Sequence, residues 1–158
     1  MSRIAILAFA ALLAGCGFQL QGAMTMPVAM ERTYIAATDK HSAFYRELRA
    51  SLQAAGVEVV DSATDATATL TISYDETDQR VLSVSARNVP TEYEVYYTIR
   101  YMLDAPTENL LEAQTLTLTR DYTYDSTLVL GKAREEALLR EAIVDDLVRI
   151  VLKQISTL

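Results

Sequence analysis

Thr91-Glu92-Tyr93-Glu94-Val95-Tyr96-Tyr97-Thr98-Ile99-Arg100-Tyr101-Met102-Leu103 alternates without a break. Tyr93, Val95, Tyr97, Ile99, Tyr101 and Leu103 fall on one side of an extended chain, and Glu92, Glu94, Tyr96, Thr98, Arg100 and Met102 on the other. Successive strand side chains point to opposite faces, so this stretch reads as a β-strand with one face toward a core. Downstream, Asp104 to Asn109 turns the chain at Pro106, and Leu110 to Tyr124 returns with Leu116 and Leu118 set against Thr115, Thr117 and Thr119. Upstream, Arg80 to Ala86 is a strand that ends in the turn Arg87-Asn88-Val89-Pro90. Before it, Ala68, Leu70, Ile72 and Tyr74 alternate with Thr67, Thr69, Thr71 and Ser73, and the polar run Asp75 to Gln79 reads as a turn. The strands joined by tight turns predict an antiparallel meander.

Two helical segments flank the meander. Phe44, Leu48 and Leu52 recur every four residues between Ser42 and Ala55, opposite Arg46, Glu47, Arg49 and Gln53. That stripe predicts an amphipathic helix, with Gly56 at the left-handed closing position. A second helix is expected from Lys132 to Ile155. Leu139, Ile143, Val144, Leu147, Val148, Val151, Leu152 and Ile155 share one broad arc against Glu141, Asp145, Asp146, Arg149 and Lys153. Short strands at Thr33–Ala36 and Val57–Val60 bracket the first helix. Two helical stripes and one sheet face must bury one another. The fold class expected is therefore α+β, a two-layer sandwich with both helices on one face of a mixed, largely antiparallel sheet. The other sheet face is left rich in Thr, Ser, Glu and Tyr.

The N-terminus is of another kind. Arg3 precedes the apolar run Ile4 to Leu13, and small Ala14-Gly15 precede Cys16. A basic start, a short apolar core and a small-residue site mark a secretory signal peptide, and the run is about half of the ~20 residues a spanning helix requires. Leu13-Ala14-Gly15-Cys16 resembles the bacterial lipobox. That resemblance implies cleavage before Cys16, a diacylglycerol on its sulfur and a palmitoyl group on its new amino terminus. Gly17, in place of an inner-membrane-retaining Asp, points to the outer membrane. The expected organisation is a signal peptide over 1–15, a lipid-anchored tether over 16–30 and a single sandwich domain over 31–158.

Composition removes most chemistries. Cys16 is the only cysteine and His41 the only histidine, so cysteine-built metal sites and multi-histidine zinc sites are excluded, and His41 reads as a loop residue ahead of the first helix. No glycine-rich phosphate loop and no Gly-x-Ser-x-Gly elbow occurs. Glu92 and Glu94 share a strand face, but outward, solvated positions explain them without acid–base catalysis. The formal net charge is −7, and one unit more negative once Arg3 leaves with the leader. Such a domain is not a general binder of nucleic acid. The expectation is a non-enzyme without cofactors.

Three stretches carry a family resemblance: Cys16-Gly17-Phe18-Gln19-Leu20-Gln21-Gly22, Thr91 to Val95, and Arg120-Asp121-Tyr122-Thr123-Tyr124-Asp125 with Val129-Leu130-Gly131-Lys132 and Arg134 to Leu139 behind it. In this order they resemble LptE, the lipopolysaccharide-assembly lipoprotein family of Gram-negative outer membranes. Gln21 stands where that family usually carries a basic residue. The resemblance implies a plug inside a large outer-membrane β-barrel, LptD-like, held on the periplasmic side by its lipid. Barrel and plug together deliver lipopolysaccharide to the outer leaflet. A free lipoprotein acting as a ligand-binding or assembly-chaperone module is the alternative. An antiparallel meander brings the Arg87 turn to the end where its last strand exits, which predicts Arg87 near Lys132 and Arg134. These three are the candidate contacts for lipopolysaccharide phosphates, since Arg suits bidentate phosphate binding.

Overall fold

The computed structural model describes residues 24–124 and 129–158. The expected signal peptide and Cys16 lie outside the described residues. The elements in chain order are β1 (Arg32–Ala37), α1 (Ala43–Ala54), β2 (Glu58–Val60), β3 (Ala68–Val84), β4 (Pro90–Ala105), β5 (Glu108–Thr123) and α2 (Val129–Ile155), with single 3₁₀ turns at Val28–Met30 and Ala63–Asp65. One five-stranded sheet has the order β2-β1-β3-β4-β5. β1 is parallel to both β2 and β3, and the β3-β4-β5 ladder is antiparallel. Two helices packed on a mixed sheet give the expected α+β sandwich.

Local chemistry sets the boundaries. Ser42 caps α1, its Oγ accepting a hydrogen bond from Tyr45 N at 3.0 Å. Gly56, at φ +87°, closes that helix in a conformation that L side chains rarely adopt. α1 buries Phe44, Leu48 and Leu52 completely, and α2 does the same with Ile143, Leu147, Val151 and Ile155. They meet Val95, Tyr97, Ile99, Tyr101 and Leu103, the inward row of β4. Each such Leu contributes about 1.5–3 kcal/mol by leaving water. The chain enters this core early. Met30 is fully buried, and its carbonyl accepts from the hydroxyl of buried Thr33 at 2.8 Å.

The structure differs from expectation in β3. Asp75–Gln79 is not a turn but the middle of a single strand running from Ala68 to Val84. The cause is a bulge. Ile72 pairs with Tyr101 while Tyr74 pairs with Arg100, so Ser73 is an extra residue. Before the bulge, even-numbered Ala68, Leu70 and Ile72 face the helices. After it, odd-numbered Asp75, Thr77 and Gln79 do, opposite Ile99, Tyr97 and Val95. The inward row therefore turns polar without leaving the strand. α2 also begins earlier than expected, at Val129 rather than Lys132.

β3 and β4 run nearly the whole length of the molecule. The chain enters at one end, beside the starts of β1 and β3. The β3–β4 hairpin, residues 85–89, sits at the other, where Asn88 adopts φ 59° and Ser85 N donates to Val89 O at 2.8 Å.

Candidate functional site

The helices leave one sheet face uncovered. Thr69 and Thr71 of β3, Glu94, Tyr96, Thr98 and Arg100 of β4, and Thr115, Thr117 and Thr119 of β5 lie on it by register. Their side chains bond across the strands. Thr98 and Thr117 hydroxyls are 2.9 Å apart, and Arg100 Nε donates to Thr115 Oγ1 at 3.1 Å. The Arg80 guanidinium reaches Glu94 Oε2 at 2.5 Å and lies 5.8 Å from the centre of the Tyr96 ring. Glu94 is thus no solvated carboxylate as the sequence suggested: its side chain is 12 % exposed and held by a cation. Glu92 is exposed and accepts from Ser83 Oγ at 2.7 Å. The face is hydrated yet ordered, able to meet a polar wall through hydroxyls and paired charges.

Beneath the helices the polar part of β3 forms a second network. Asp75 accepts from Ser42 Oγ at 2.5 Å and from the Tyr97 hydroxyl at 2.6 Å. Burial, and next the bond to Asp75, hold the Tyr97 phenol well above its ordinary pKa, so it stays a proton donor. Arg140 of α2 donates to Thr77 Oγ1 at 2.8 Å and to Glu136 at 2.7 Å. Tyr122 donates to Gln79 at 3.0 Å, and its ring stacks on Tyr93 with centroids 5.7 Å apart. Arg120 ties β5 to α2 through Asp146 at 2.5 Å. Tyr97 is buried and Asp75 partly so, whereas Thr77 and Gln79 are exposed at the margin, and every one of these groups is bonded to another. Ser42 Oγ sits against the Asp75 carboxylate, but the same hydroxyl oxygen caps α1 by accepting from Tyr45 N. His41 is an exposed loop residue whose carbonyl accepts from Arg46.

At the hairpin end, Tyr124 N donates to Thr91 O at 2.8 Å, so the exit of β5 and the Arg87 turn share one end of the sheet. Arg87 and Arg134 are exposed. Lys132 is more enclosed, its side chain 18 % exposed and paired with Glu135 at 2.6 Å. A cavity of about 350 Å³ nearby is lined by Leu82, Glu92, Asp121, Tyr122, Thr123 and Glu135. Of the predicted basic residues Lys132 meets a carboxylate of this group, Glu135, and sequence spacing alone did not reveal the group because three different elements supply it. At the opposite end an apolar groove follows Met24, Met26, Val28, Ala55 and Val57, where the chain enters. Among the described residues no helix is long and apolar enough to cross a membrane.

Comparisons with known proteins agree with this geometry. The family model LptE, described as lipopolysaccharide-assembly, matches residues 30–155. The LPS-assembly lipoprotein LptE of Pectobacterium atrosepticum is 24% identical over 147 residues, which is 92% of this chain and 79% of that one. Among solved structures, the uncharacterized lipoprotein B from Nitrosomonas europaea superposes with a TM-score of 0.74 at 29% identity, covering 89% of this chain and 90% of its own. The rare lipoprotein B from Shewanella oneidensis has the same fold, with a TM-score of 0.69 at 23% identity over 80% of this chain and 94% of its own.

Proposed function

The chain belongs to the LptE lipopolysaccharide-assembly family, and from that premise we propose that it is the lipid-anchored plug of an outer-membrane lipopolysaccharide translocon, seated inside an LptD-like β-barrel and anchored on the periplasmic side through Cys16. The observation that carries this reading is the uncovered sheet face, ordered by Thr98–Thr117, Arg100–Thr115 and Arg80–Glu94. A barrel lumen is polar, and a plug meets it by shape and hydrogen bonds. An acidic, hydroxyl-rich face suits that wall and would be a poor surface for lipid.

In this reading the lipid positions the domain and the lumen supplies the contacts. A form lacking Cys16, exported by an ordinary signal peptide and coexpressed with the barrel, is therefore expected to copurify with it in detergent. A plug buries more than a standard ~1,600 Å² interface, so the complex should survive moderate salt. If only the lipidated form copurifies, the association is shared membrane residence, and the free periplasmic lipoprotein takes its place.

Arg87, Lys132 and Arg134 are proposed to take lipopolysaccharide phosphates at the hairpin end, with phosphate displacing Glu135 from Lys132. Two lost charge-assisted bonds predict that Arg87→Asp with Lys132→Asp weakens lipopolysaccharide binding about tenfold or more. Unchanged binding of labelled lipopolysaccharide to the double variant removes this site and leaves the plug reading intact.

A further inference from the structure

We propose that the outer edge of β3, from Asp75 to Val84, is a docking site for an extended strand of the partner protein. That strand would alternate apolar side chains and carry a Lys or Arg where it passes Glu76 and Asp78. The proposal rests on the plug reading for the identity of the partner, and on the following geometry for the site.

β1 covers only the first part of β3. Their pairs run from Thr33 with Ala68 to Ala37 with Ile72 and stop at the bulge. Among the described residues, β3 past that point pairs on one side only, with β4. Which main-chain groups are left over follows from a single bond. Tyr124 N donates to Thr91 O, so Thr91 turns its backbone toward β5. Alternation then turns Glu92, Glu94, Tyr96 and Thr98 toward β3, and their partners Ser83, Arg80, Asp78 and Glu76 bond back to β4. Asp75, Thr77, Gln79 and Val81 lie between them and present N–H and C=O away from the sheet. The Gln79 N–H agrees with this, since it is taken by the neighbouring Asp78 carboxylate at 2.7 Å.

Proteins guard such edges with charge, bulges or bonds made by the strand's own side chains. β5, the full-length edge of the sheet, is guarded in this way. Its outward side chains are Thr115, Thr117, Thr119 and Asp121, and Arg120 donates to the Thr119 carbonyl at 2.9 Å. Past Arg80, β3 carries no charged side chain, and its guard is reduced to the irregularities at Val81/Ser83 and Ser83/Val84. Val81, Leu82 and Val84 are 46 %, 44 % and 52 % exposed, and Val89 across the hairpin is 46 % exposed. An exposed apolar strand with unpaired main chain is what strand addition requires: the ladder supplies affinity, and alternate side chains supply choice.

Charge selects the occupant. Glu76 and Asp78 are exposed along the first half of the edge, and the nearby Arg80 is engaged by Glu94. A second copy would bring the same acidic run on a chain of net charge −7. A strand with a basic residue at that register complements it.

The test uses the full chain with its own signal peptide, coexpressed with the barrel that copurifies with it. Leu82 is replaced by the photoreactive p-benzoylphenylalanine, and cells are irradiated. The expected adduct joins this chain to the barrel protein. Val81→Pro, which deletes an outward N–H and leaves the β4 ladder its bonds, should reduce that adduct about five- to tenfold. Val81→Thr, which keeps the N–H, should retain it. An adduct of two copies of this chain, no adduct, or equal yields from Val81→Pro and wild type each overturns strand docking. In all three cases the wild-type pulldown still reports separately whether the barrel is the partner. Should Val81→Pro fail to fold, the presence and identity of the Leu82 adduct in the otherwise unchanged chain decide the matter.

Discussion

Leu147→Ala will destabilise the domain by about 2–5 kcal/mol, lowering its melting temperature by roughly 8–15 °C. Leu147 is fully buried at the middle of α2, on the same face as Ile143, Val151 and Ile155. α2 packs there on α1, β4 and β5 at once. Truncation removes apolar contact on several sides, and surroundings held by strand pairing cannot collapse into the gap. The cost is therefore transfer free energy together with a cavity. The same helix supplies the control. Leu138 is 48 % exposed, so Leu138→Ala should move stability by no more than about 0.5 kcal/mol. Urea unfolding of the chain expressed without its leader and Cys16 measures both. Equal midpoints for Leu147→Ala and wild type would mean that the inward face of α2 has been misassigned.

Cys16→Ala will abolish lipid labelling altogether. The expectation comes from Leu13-Ala14-Gly15-Cys16 behind an apolar run, in a chain with one cysteine. No second thiol can take over, so the effect is all or none. A single acyl chain holds a protein at a membrane only marginally, whereas several hold it stably. Cells grown with labelled palmitate should give a labelled wild-type band and an unlabelled variant of equal abundance. Label on both would place the lipid elsewhere and remove Cys16 from its proposed role.

Much of the fold was legible because burial and periodicity agreed. Tyr97, Ile99, Tyr101 and Leu103 alternate in the sequence and are buried in the structure, and Leu48 and Leu52 mark the inner side of α1. Legibility failed where those two signals parted. Past Ser73 the inward residues are Asp75, Thr77 and Gln79, polar side chains matched by Ser42, Tyr97, Arg140 and Tyr122. Each partner comes from another element, so no local pattern marks them, and a polar run beside a strand reads as a turn. Glu94 was hidden in the same way, since the Arg80 that covers it comes from a neighbouring strand. For the hairpin end, topology predicted that the Arg87 turn and the exit of β5 share one end of the sheet. It could not predict the Lys132–Glu135 pair or the carboxylates of Glu92 and Asp121 nearby. Those depend on how strand and helix faces meet.

The length of β3 has a consequence measured against the bilayer. Its 17 residues extend about 55 Å at the usual strand rise. The hydrocarbon layer of a membrane is only ~30 Å thick. The chain enters the domain at one end of this strand, and the hairpin carrying Arg87 and Val89 closes the other. In the proposed arrangement, with the lipid in the inner leaflet and β3 along the membrane normal, that hairpin would stand across the whole depth of the hydrocarbon layer. β3 then acts as a ruler, and a pair of residues added to or removed from both β3 and β4 would move the hairpin by about 7 Å in depth without reversing either strand's faces.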